Sequence, residues 1–552
     1  MAAPWDLRVK ALMRLIYPDA KMKFFLFLLL VTTMALTACT SVAAPEIPPA
    51  TQTCEHWVAP PPEGADTGPG TFAQPWATLE HAATTVPDNH CIVWFKDGIY
   101  TGESRLTRRF LNPVTFRAIN AYMAIFEHDD SVISLSGVKN MVFEGFEFRH
   151  AGPASEAIVV SVHSDKGQWA EMITFRNNIF HDSYNDDLLK MYNGVRFATI
   201  EGNLFYNQGD SEQHMDVNSV TDSVIQDNIF FNDYAGSGRP VPEDTKAFIV
   251  IKDSGEEADG QLGSERVTVR RNIFLNWQGT TSQFLKIGND GKPFHEGRDI
   301  VVENNLFVGN SPEFIGAAFG VSGGRDILFR HNTIVGNLPA REYAFFVDMK
   351  DKNPINENVY FYNNIWSDFT GTMGSEVKGL PGRFSDGDPE ESTNLILDNN
   401  LYWNGGASIP GGDLVSPLVD DINRLVADPL LNVAPENIVL PRWDGSWFIS
   451  CKRLIRQEFV RLVMLYGALA GNSPAIGAAA SSQAPSEDIL GQPRTAQPDM
   501  GAYEYQVVPS GLIPQPFRLF SSFDTNAAAS LTLSPTSGTD SQGYMPVIFK
   551  DC

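Results

Sequence analysis

Two short stretches of the sequence bring together acidic, basic and imidazole side chains that could do chemistry as a group. They contain, in chain order, Asp186, Asp187, Lys190, Asp210, Glu212, His214 and Asp216. Carboxylate oxygens are the ligands that Ca²⁺ prefers, and a lysine or histidine near a bound cation can accept a proton. If the fold places the two stretches side by side, we expect a Ca²⁺ site with a base next to it.

A repeat along the chain supplies a scaffold that would place them side by side. Its marker is an asparagine that precedes an apolar pair, as in Asn178-Ile179-Phe180 and Asn228-Ile229-Phe230. The marker falls at 178, 203, 228, 272, 305, 332, 364 and 400, so the spacing is 25 to 44 residues. Such a period indicates one coil of a solenoid plus loops of variable length. We predict an all-β chain, a right-handed parallel β-helix with an N-terminal helical cap and a C-terminal cap segment.

The marker asparagines have a structural interpretation of their own. They recur on coils that share nothing else, which is typical of a residue that serves the scaffold. We expect a ladder at an inner bend, in which each side-chain amide bonds to the coils above and below it.

Aligning the coils by their markers predicts which side chains face outward. Leu189, Met215, Ile249 and Leu285 stack in one uniformly apolar row, and Met191, Val217, Ile251 and Ile287 form a second. These rows should face the core, and the alternate positions should face solvent. The outward positions include Asp186 and Glu212; Leu188, His214, Phe248 and Phe284; Lys190, Asp216, Val250 and Lys286; and Asn218 and Lys252.

This architecture, with its outward acidic and basic patch, resembles the β-helical polysaccharide lyases, which include pectate, alginate and chondroitin lyases. The resemblance covers roughly residues 70 to 405 and contains no intact signature of one lyase family. The stretch from Gly70 to Gly98 and the asparagine-marked coils also resemble β-helix repeat proteins of bacterial surfaces. The resemblance implies an acidic polysaccharide as partner and β-elimination of a uronate-containing glycan as the reaction.

Roles in such a reaction can be assigned to the outward residues. Lys190 is the first candidate for the base, Lys252 is the second, and His214 could replace either. The expected Ca²⁺ ligands are Asp186, Asp187, Asp210, Glu212 and Asp216. Lys286, Phe248 and Asn218 are the expected substrate-binding residues.

Other interpretations of the same patch stay open. Asp186 with Asp216 or Glu212 could be the carboxylate pair of a glycoside hydrolase. A non-catalytic surface protein that binds glycan is a third possibility, and outward charges on a solenoid can also be a solvated face. The formal charge of −25 argues against nucleic acid as a partner. We expect a monomer.

The N-terminus indicates export. Lys21 and Lys23 precede an apolar run from Phe24 to Leu36, which is typical of a secretory signal. Leu36-Thr37-Ala38-Cys39 resembles the lipobox of bacterial lipoproteins, which implies cleavage before Cys39 and lipidation of its thiol. The expected location is therefore the bacterial cell envelope, outside the cytoplasm, with a lipid anchor as the only contact with the membrane. An ordinary signal peptide is the alternative.

Composition divides the chain into five parts. They are a signal peptide at 1–38, in which Met22 could be the true start, a flexible tether at 39–70, the β-helix at 71–405, C-terminal coils and cap at 406–506, and a loose tail at 507–552. Cys54 and Cys91 flank the first folded segment and could pair in an oxidising compartment.

Overall fold

The computed structural model describes residues 54–506, except for 211, 256–258, 280–281, 311–312, 339–341, 375–381 and 433–437. The predicted signal peptide, Cys39 and the predicted tail lie outside the described residues. Within the described residues, no helix has the length and apolar character needed to cross a bilayer.

The chain coils so that each turn adds strands to three long sheets, and neighbouring strands in every sheet are parallel. The first sheet contains β1 Glu55–Val58, β2 Ile92–Phe95, β5 Arg109–Ala118, β8 Lys139–Glu144, β11 Ala170–Arg176, β14 Val195–Arg196, β15 Thr199–Glu201, β18 Val220–Gln226, β21 Ser264–Arg270, β24 Gly297–Glu303, β27 Gly324–Arg330, β30 Asn356–Tyr362 and β33 Ser392–Asp398. The predicted parallel β-helix is confirmed.

The other two sheets have the same stacked order. The second contains β4 Ser104–Leu106, β7 Ile133–Ser136, β10 Val160–His163, β13 Leu189–Tyr192, β17 Met215–Asn218, β20 Ile249–Lys252, β23 Gln283–Ile287, β26 Ala317–Ser322, β29 Phe345–Asp348 and β32 Ser385–Asp386. The third contains β3 Gly98–Thr101, β6 Ala124–His128, β9 Glu147–His150, β12 Ile179–His181, β16 Leu204–Tyr206, β19 Ile229–Phe231, β22 Ile273–Leu275, β25 Leu306–Gly309, β28 Thr333–Gly336, β31 Ile365–Asp368, β34 Leu401–Asn404 and β35 Leu425–Val426.

Two stacks of identical residues run through the interior. Phe180, Phe205 and Phe230 lie face to face, with ring centroids 4.7 and 4.9 Å apart, and the stack continues through β22 and β25. The marker asparagines form the predicted ladder. Asn228, for example, donates from its backbone and its side chain to Oδ1 of Asn272, both at 3.0 Å. Asp421 accepts the last bonds, from Asn400, and so closes the ladder.

At its N-terminal end the β-helix begins earlier than the sequence predicted. β1 pairs with β2 in parallel, and Cys54 and Cys91 are disulfide-bonded beside them. Residues 54–70 therefore belong to the folded body, because β1 contributes backbone hydrogen bonds to the first sheet; the predicted tether at 39–70 is too long. The expected helical cap is α1, Leu79–Thr85. Thr78 caps its N-terminus, because the N–H of His81 donates to Thr78 Oγ1 at 3.1 Å.

Beyond the last coils the chain runs back along the outside of the third sheet. This part contains α3, Ile455–Leu462, a π turn at Val463–Gly467 and a 3₁₀ turn at Ser481–Gln483, whereas α2, Pro417–Asp420, and a 3₁₀ turn at Pro389–Glu391 lie within the last coils. The N–H of Ile455 donates to the hydroxyl of Tyr122, near the other end of the β-helix. Asp421 lies at the end of the asparagine ladder, and residues 438–506 cover one side of the β-helix.

Candidate functional site

The four strands that carry the candidate residues pair in the predicted register. Leu189, Met215, Ile249 and Leu285 occupy equivalent positions on β13, β17, β20 and β23. The next position holds Lys190, Asp216, Val250 and Lys286. Because adjacent strands lie about 4.8 Å apart, side chains from distant parts of the sequence meet on the outer face of the second sheet.

Three carboxylates gather where the chain enters β13 and β17. Asp186, Asp187 and Glu212 each offer an oxygen, and these oxygens all lie within 4.8 Å of one another. Asp187 is fully buried, and its Oδ1 accepts the N–H of Gln213, which ties the two coils together. We call Asp186, Asp187 and Glu212 the acidic cluster.

Two lysines alternate with carboxylates beside the acidic cluster. Lys190 Nζ lies 3.2 Å from Asp187 Oδ2 and 3.3 Å from Asp216 Oδ2. Lys252 Nζ lies 3.7 Å from Asp216 Oδ2 and 3.4 Å from Asp290 Oδ2. Asp216, predicted as a metal ligand, therefore lies between the two lysines, and it is 1% exposed.

Burial and neighbouring charge determine the protonation states of these groups. Burial raises the pKa of Asp187 well above its ordinary value, and the charge of Asp216 raises it further. Burial and Asp186 raise the pKa of Glu212 to about 7. Burial would lower the pKa of Lys190, but Asp187 and Asp216 outweigh it, so that pKa is raised and the side chain is an ammonium ion.

The acidic cluster suits a hard divalent cation. Its donors are carboxylate oxygens only, the ligand type that Ca²⁺ selects. Burial destabilises these carboxylates as anions, and a cation would remove that cost. Next to them, Asp216 Oδ1 is buried with no hydrogen-bond partner among the described residues. Asp186, Asp187 and Glu212 would therefore hold the ion, with Asp216 at its edge.

The predictions for His214 and Phe248 are wrong, because both side chains face the interior. Neither side chain is exposed, and their rings stack with centroids 4.3 Å apart. His214 Nε2 lies 2.9 Å from Asn232 Oδ1, and burial lowers its pKa to about 3, so it is neutral. Strand alternation fails there because β17 and β20 begin one residue later. The bend before each strand points two successive residues inward, as it also does for Leu188 before β13; Phe284 is buried as well, but inside β23.

Of three other candidates, Asn218 and Asp210 are placed differently from the expectation, and Lys286 is placed as expected. Asn218 is 4% exposed, and its Oδ1 accepts the N–H of Ser254 at 3.0 Å, so its amide holds a loop. Asp210 is exposed and accepts the N–H of Asp244 outside the acidic cluster. Lys286 does face outward; its Nζ donates to Asn289 Oδ1 at 3.0 Å, and burial lowers its pKa.

Asp290 is a member of the site that the repeat pattern did not reveal. It lies in the loop after β23, and its carboxylate pairs with Lys252. The buried carboxylate of Glu296 fixes this loop by accepting the N–H groups of Asn289, Asp290 and Lys292. The sequence feature that could have revealed Asp290 is the turn-forming run Asn289-Asp290-Gly291, which directly follows a strand of the same sheet.

The acidic cluster lies on an open face and lines neither of two cavities found elsewhere. One, of about 510 Å³, lies beside α1 and β4, and the other, of about 310 Å³, lies between the third sheet and residues 442–445. An open face across successive coils suits an extended polymer better than a small enclosed ligand.

Comparison with known proteins finds distant likenesses among solved structures alone. No family model and no curated protein matches this sequence. Among solved structures, the chain is similar to pectate lyase Pel9A at 16% identity, with a TM-score of 0.40 and coverage of 82% of this chain and 97% of that one. It is also similar to an alginate lyase from Paenibacillus sp. str. FPU-7, at 13% identity and a TM-score of 0.39, covering 60% and 93%.

A third similar structure is a mannuronic acid specific polysaccharide family 6 lyase from human gut microbiota. It has 15% identity, a TM-score of 0.39 and coverage of 62% of this chain and 82% of that one.

Proposed function

We propose that the protein is a Ca²⁺-dependent lyase that cleaves an acidic, uronate-containing polysaccharide by β-elimination. The observation that carries the proposal is the placement of three carboxylates within 4.8 Å of one another, directly beside Lys190, on an open face of the β-helix. A polyanion needs local positive charge on a chain whose formal charge is −25. The lysines and a bound cation would supply it.

Elimination requires removal of the weakly acidic proton next to the uronate carboxylate. Bound Ca²⁺ would neutralise that carboxylate and stabilise the negative charge that develops on it. Lys190 is the first candidate for the group that takes the proton, because a cation bound to the acidic cluster would offset the carboxylate charge that otherwise holds it as an ammonium ion. Lys252, between Asp216 and Asp290, is the second. Lys286, farther along the same face, would bind a carboxylate of a neighbouring sugar.

The test is incubation of the protein with polygalacturonate, alginate and chondroitin sulfate, with Ca²⁺ or with a chelator. We expect ultraviolet absorbance from an unsaturated product with Ca²⁺, and none with the chelator. Asp187→Asn should lose this activity and its Ca²⁺ affinity, whereas Asp299→Asn, which alters an exposed carboxylate, should keep both. The proposal would be wrong if calorimetry detected no calcium binding and no unsaturated product formed.

A hydrolase is the second candidate, and the protonation of Glu212 favours it. A carboxyl group with a pKa of about 7 can act as an acid near neutral pH. Asp186, in the same cluster, would be its partner. New reducing ends without ultraviolet absorbance would identify this reaction, and binding without either product would identify a glycan-binding protein.

We also propose that the protein is exported and anchored in the bacterial envelope by a lipid on Cys39. The Cys54–Cys91 disulfide supports an oxidising compartment. Cys39→Ser should release the protein from the membrane fraction or block its maturation. An unchanged distribution between membrane and soluble fractions would contradict the lipid anchor.

A further inference from the structure

Elimination needs a proton donor for the departing sugar oxygen as well as a base. We propose that Tyr192 is that donor, held in place by stacking against His163, on the outer face of the second sheet. The inference rests on the proposed lyase function and adds a second catalytic group to it.

Tyr192 lies on the same strand and face as Lys190. The two are separated by one residue on β13, so their side chains project from the same side, about 7 Å apart at their Cα atoms. Continuing the register by one residue places Asn218 opposite Tyr192 on β17. Tyr192 therefore flanks the lysines on the side away from the core, where a bound sugar chain would pass.

The phenol ring is fixed while its hydroxyl is available. His163 is its register partner on β10, and the two rings stack with centroids 4.9 Å apart and an angle of 29° between their planes. His163 Nδ1 lies 2.8 Å from the carbonyl oxygen of Ser164, which can only accept, so this nitrogen carries the proton and orients the imidazole. Among the described residues, the Tyr192 hydroxyl has no hydrogen-bond partner, and its side chain is half-buried.

Charge around the phenol suits a donor. Its neighbours include both the Lys190 ammonium and the Asp186 carboxylate. In the step, the base takes the proton from C5 of the uronate, and the C5–H electrons form the C4–C5 double bond. The C4–O bond breaks, and the departing glycosidic oxygen takes the Tyr192 proton. The tyrosinate then recovers a proton from solvent, and the base releases its own, so that both groups return to their starting state.

The role of Tyr192 is tested by substituting it and measuring turnover of two substrates that differ in their leaving group. One substrate is the natural polymer, and the other is a uronate oligomer with fluorine at C4 of the reacting residue, since fluoride departs without a proton. We expect Tyr192→Phe to lower kcat on the polymer by about 10²–10⁴-fold, the usual contribution of a general acid, and to leave fluoride release within about threefold of wild type. Equal losses on both substrates, or unchanged polymer turnover, would overturn the assignment.

Matched variants distinguish the contribution of the Tyr192 proton from the contribution of ring stacking. His163→Phe keeps an aromatic ring against Tyr192 and should retain polymer turnover, whereas His163→Ala should lower kcat on the polymer and spare fluoride release. Tyr360→Phe, which removes a phenol from the stacked pair Tyr360–Tyr362 on the first sheet, should change neither. If wild-type protein yields no unsaturated product from either substrate, the lyase function itself fails and this inference falls with it.

Discussion

At the scale of single residues, Lys190 separates two buried carboxylates that would otherwise repel each other. Its ammonium lies within 3.3 Å of both Asp187 and Asp216, which are 0% and 1% exposed. Lys190→Met should lower the unfolding free energy by about 3–5 kcal/mol without metal, because it leaves buried charge uncompensated. Urea denaturation in chelator measures this loss.

Added Ca²⁺ should recover part of that stability, since the ion would supply the missing positive charge. Lys139→Met, at a partly exposed lysine on the first sheet, is the control and should cost less. A Lys190→Met protein as stable as wild type in chelator would show that the carboxylates are not held as anions.

Glu212 should make the metal-free protein less stable as pH rises. Its pKa is about 7 in the fold against an ordinary 4.5, so the folded state binds this proton more tightly than the unfolded chain. The stabilisation is therefore complete below pH 4.5 and is lost as pH rises through 7, by up to roughly 1 kcal/mol per pH unit after allowance for partial exposure.

The difference between wild type and Glu212→Gln isolates this effect. In chelator, the variant should gain on wild type between pH 5 and pH 7.5 in urea denaturation. Glu156→Gln, at an exposed carboxylate, should give a difference that does not change with pH. A constant difference for Glu212→Gln as well would contradict the raised pKa.

The sequence alone predicted only some of the residues of the site. Lys190, Asp216 and Lys252 follow strand alternation within their strands, and the pattern placed them correctly. His214 and Phe248 lie one residue before a strand begins, where a bend decides the direction of the side chain and periodicity carries no information. Asp290 lies in a loop that is held by the carboxylate of Glu296, a local contact that occurs once and that no repeat predicts.

At the scale of elements, the asparagine ladder links the coils through their bends. Asn228 Oδ1 accepts from both the backbone N–H and the side-chain amide of Asn203, at 2.8 and 3.1 Å. Asn228→Ala would leave these buried donors unpaired and should cost about 1–3 kcal/mol of unfolding free energy. Denaturation should show this loss, while Ca²⁺ affinity and turnover stay near wild type.

Asn120→Ala serves as the control for that variant. Asn120 is exposed, and its amide bonds to Asp97 at the surface, so its removal should change stability little. Normal stability of Asn228→Ala with lost activity would mean that the ladder takes part in the chemistry.

Elements that repeat could be predicted, and elements that occur once could not. The ladder and the core rows can be recognised in the sequence because each coil reproduces the same contacts. An asparagine at the bend of one coil therefore predicts an asparagine at the bend of the next coil. Residues 438–506 contain no such marker. Their place along the third sheet depends on single contacts, such as that of Arg271 with Glu487, 3.0 Å apart across more than two hundred residues of sequence.

At the scale of the whole molecule, the returning segment leaves the second sheet open and covers the third. The segment, which includes α3, buries an apolar row that faces outward from the third sheet: Ile179, Leu204, Ile229, Ile273, Leu306, Ile365 and Leu401. The two faces therefore differ: the third sheet is covered by the returning segment, and the second carries the acidic cluster, where the proposed polymer substrate would bind. A segment lying on the second sheet would block the proposed site.

The contact that fastens this segment provides the last prediction. Arg494 and Glu504 form an ion pair at 3.0 Å with side chains 2% and 0% exposed, and Arg494 also donates to Asn304 Oδ1 at 2.7 Å on the β-helix. Arg494→Met should lower the unfolding free energy by about 3–5 kcal/mol, because Glu504 stays buried as an unpaired anion. Adding Glu504→Gln to that variant should restore part of the loss, and Arg105→Met, at an exposed arginine, should have little effect.

Hydrogen exchange shows where the molecule opens in that variant. If Arg494 fastens the segment, Arg494→Met should speed exchange in residues 438–506 and along β19 and β22 beneath them, while β13 and β17 stay protected. Because the acidic cluster belongs to the second sheet, Ca²⁺ affinity should then change by less than about threefold. Uniformly faster exchange over all three sheets would instead mean that the segment and the β-helix unfold as one cooperative unit.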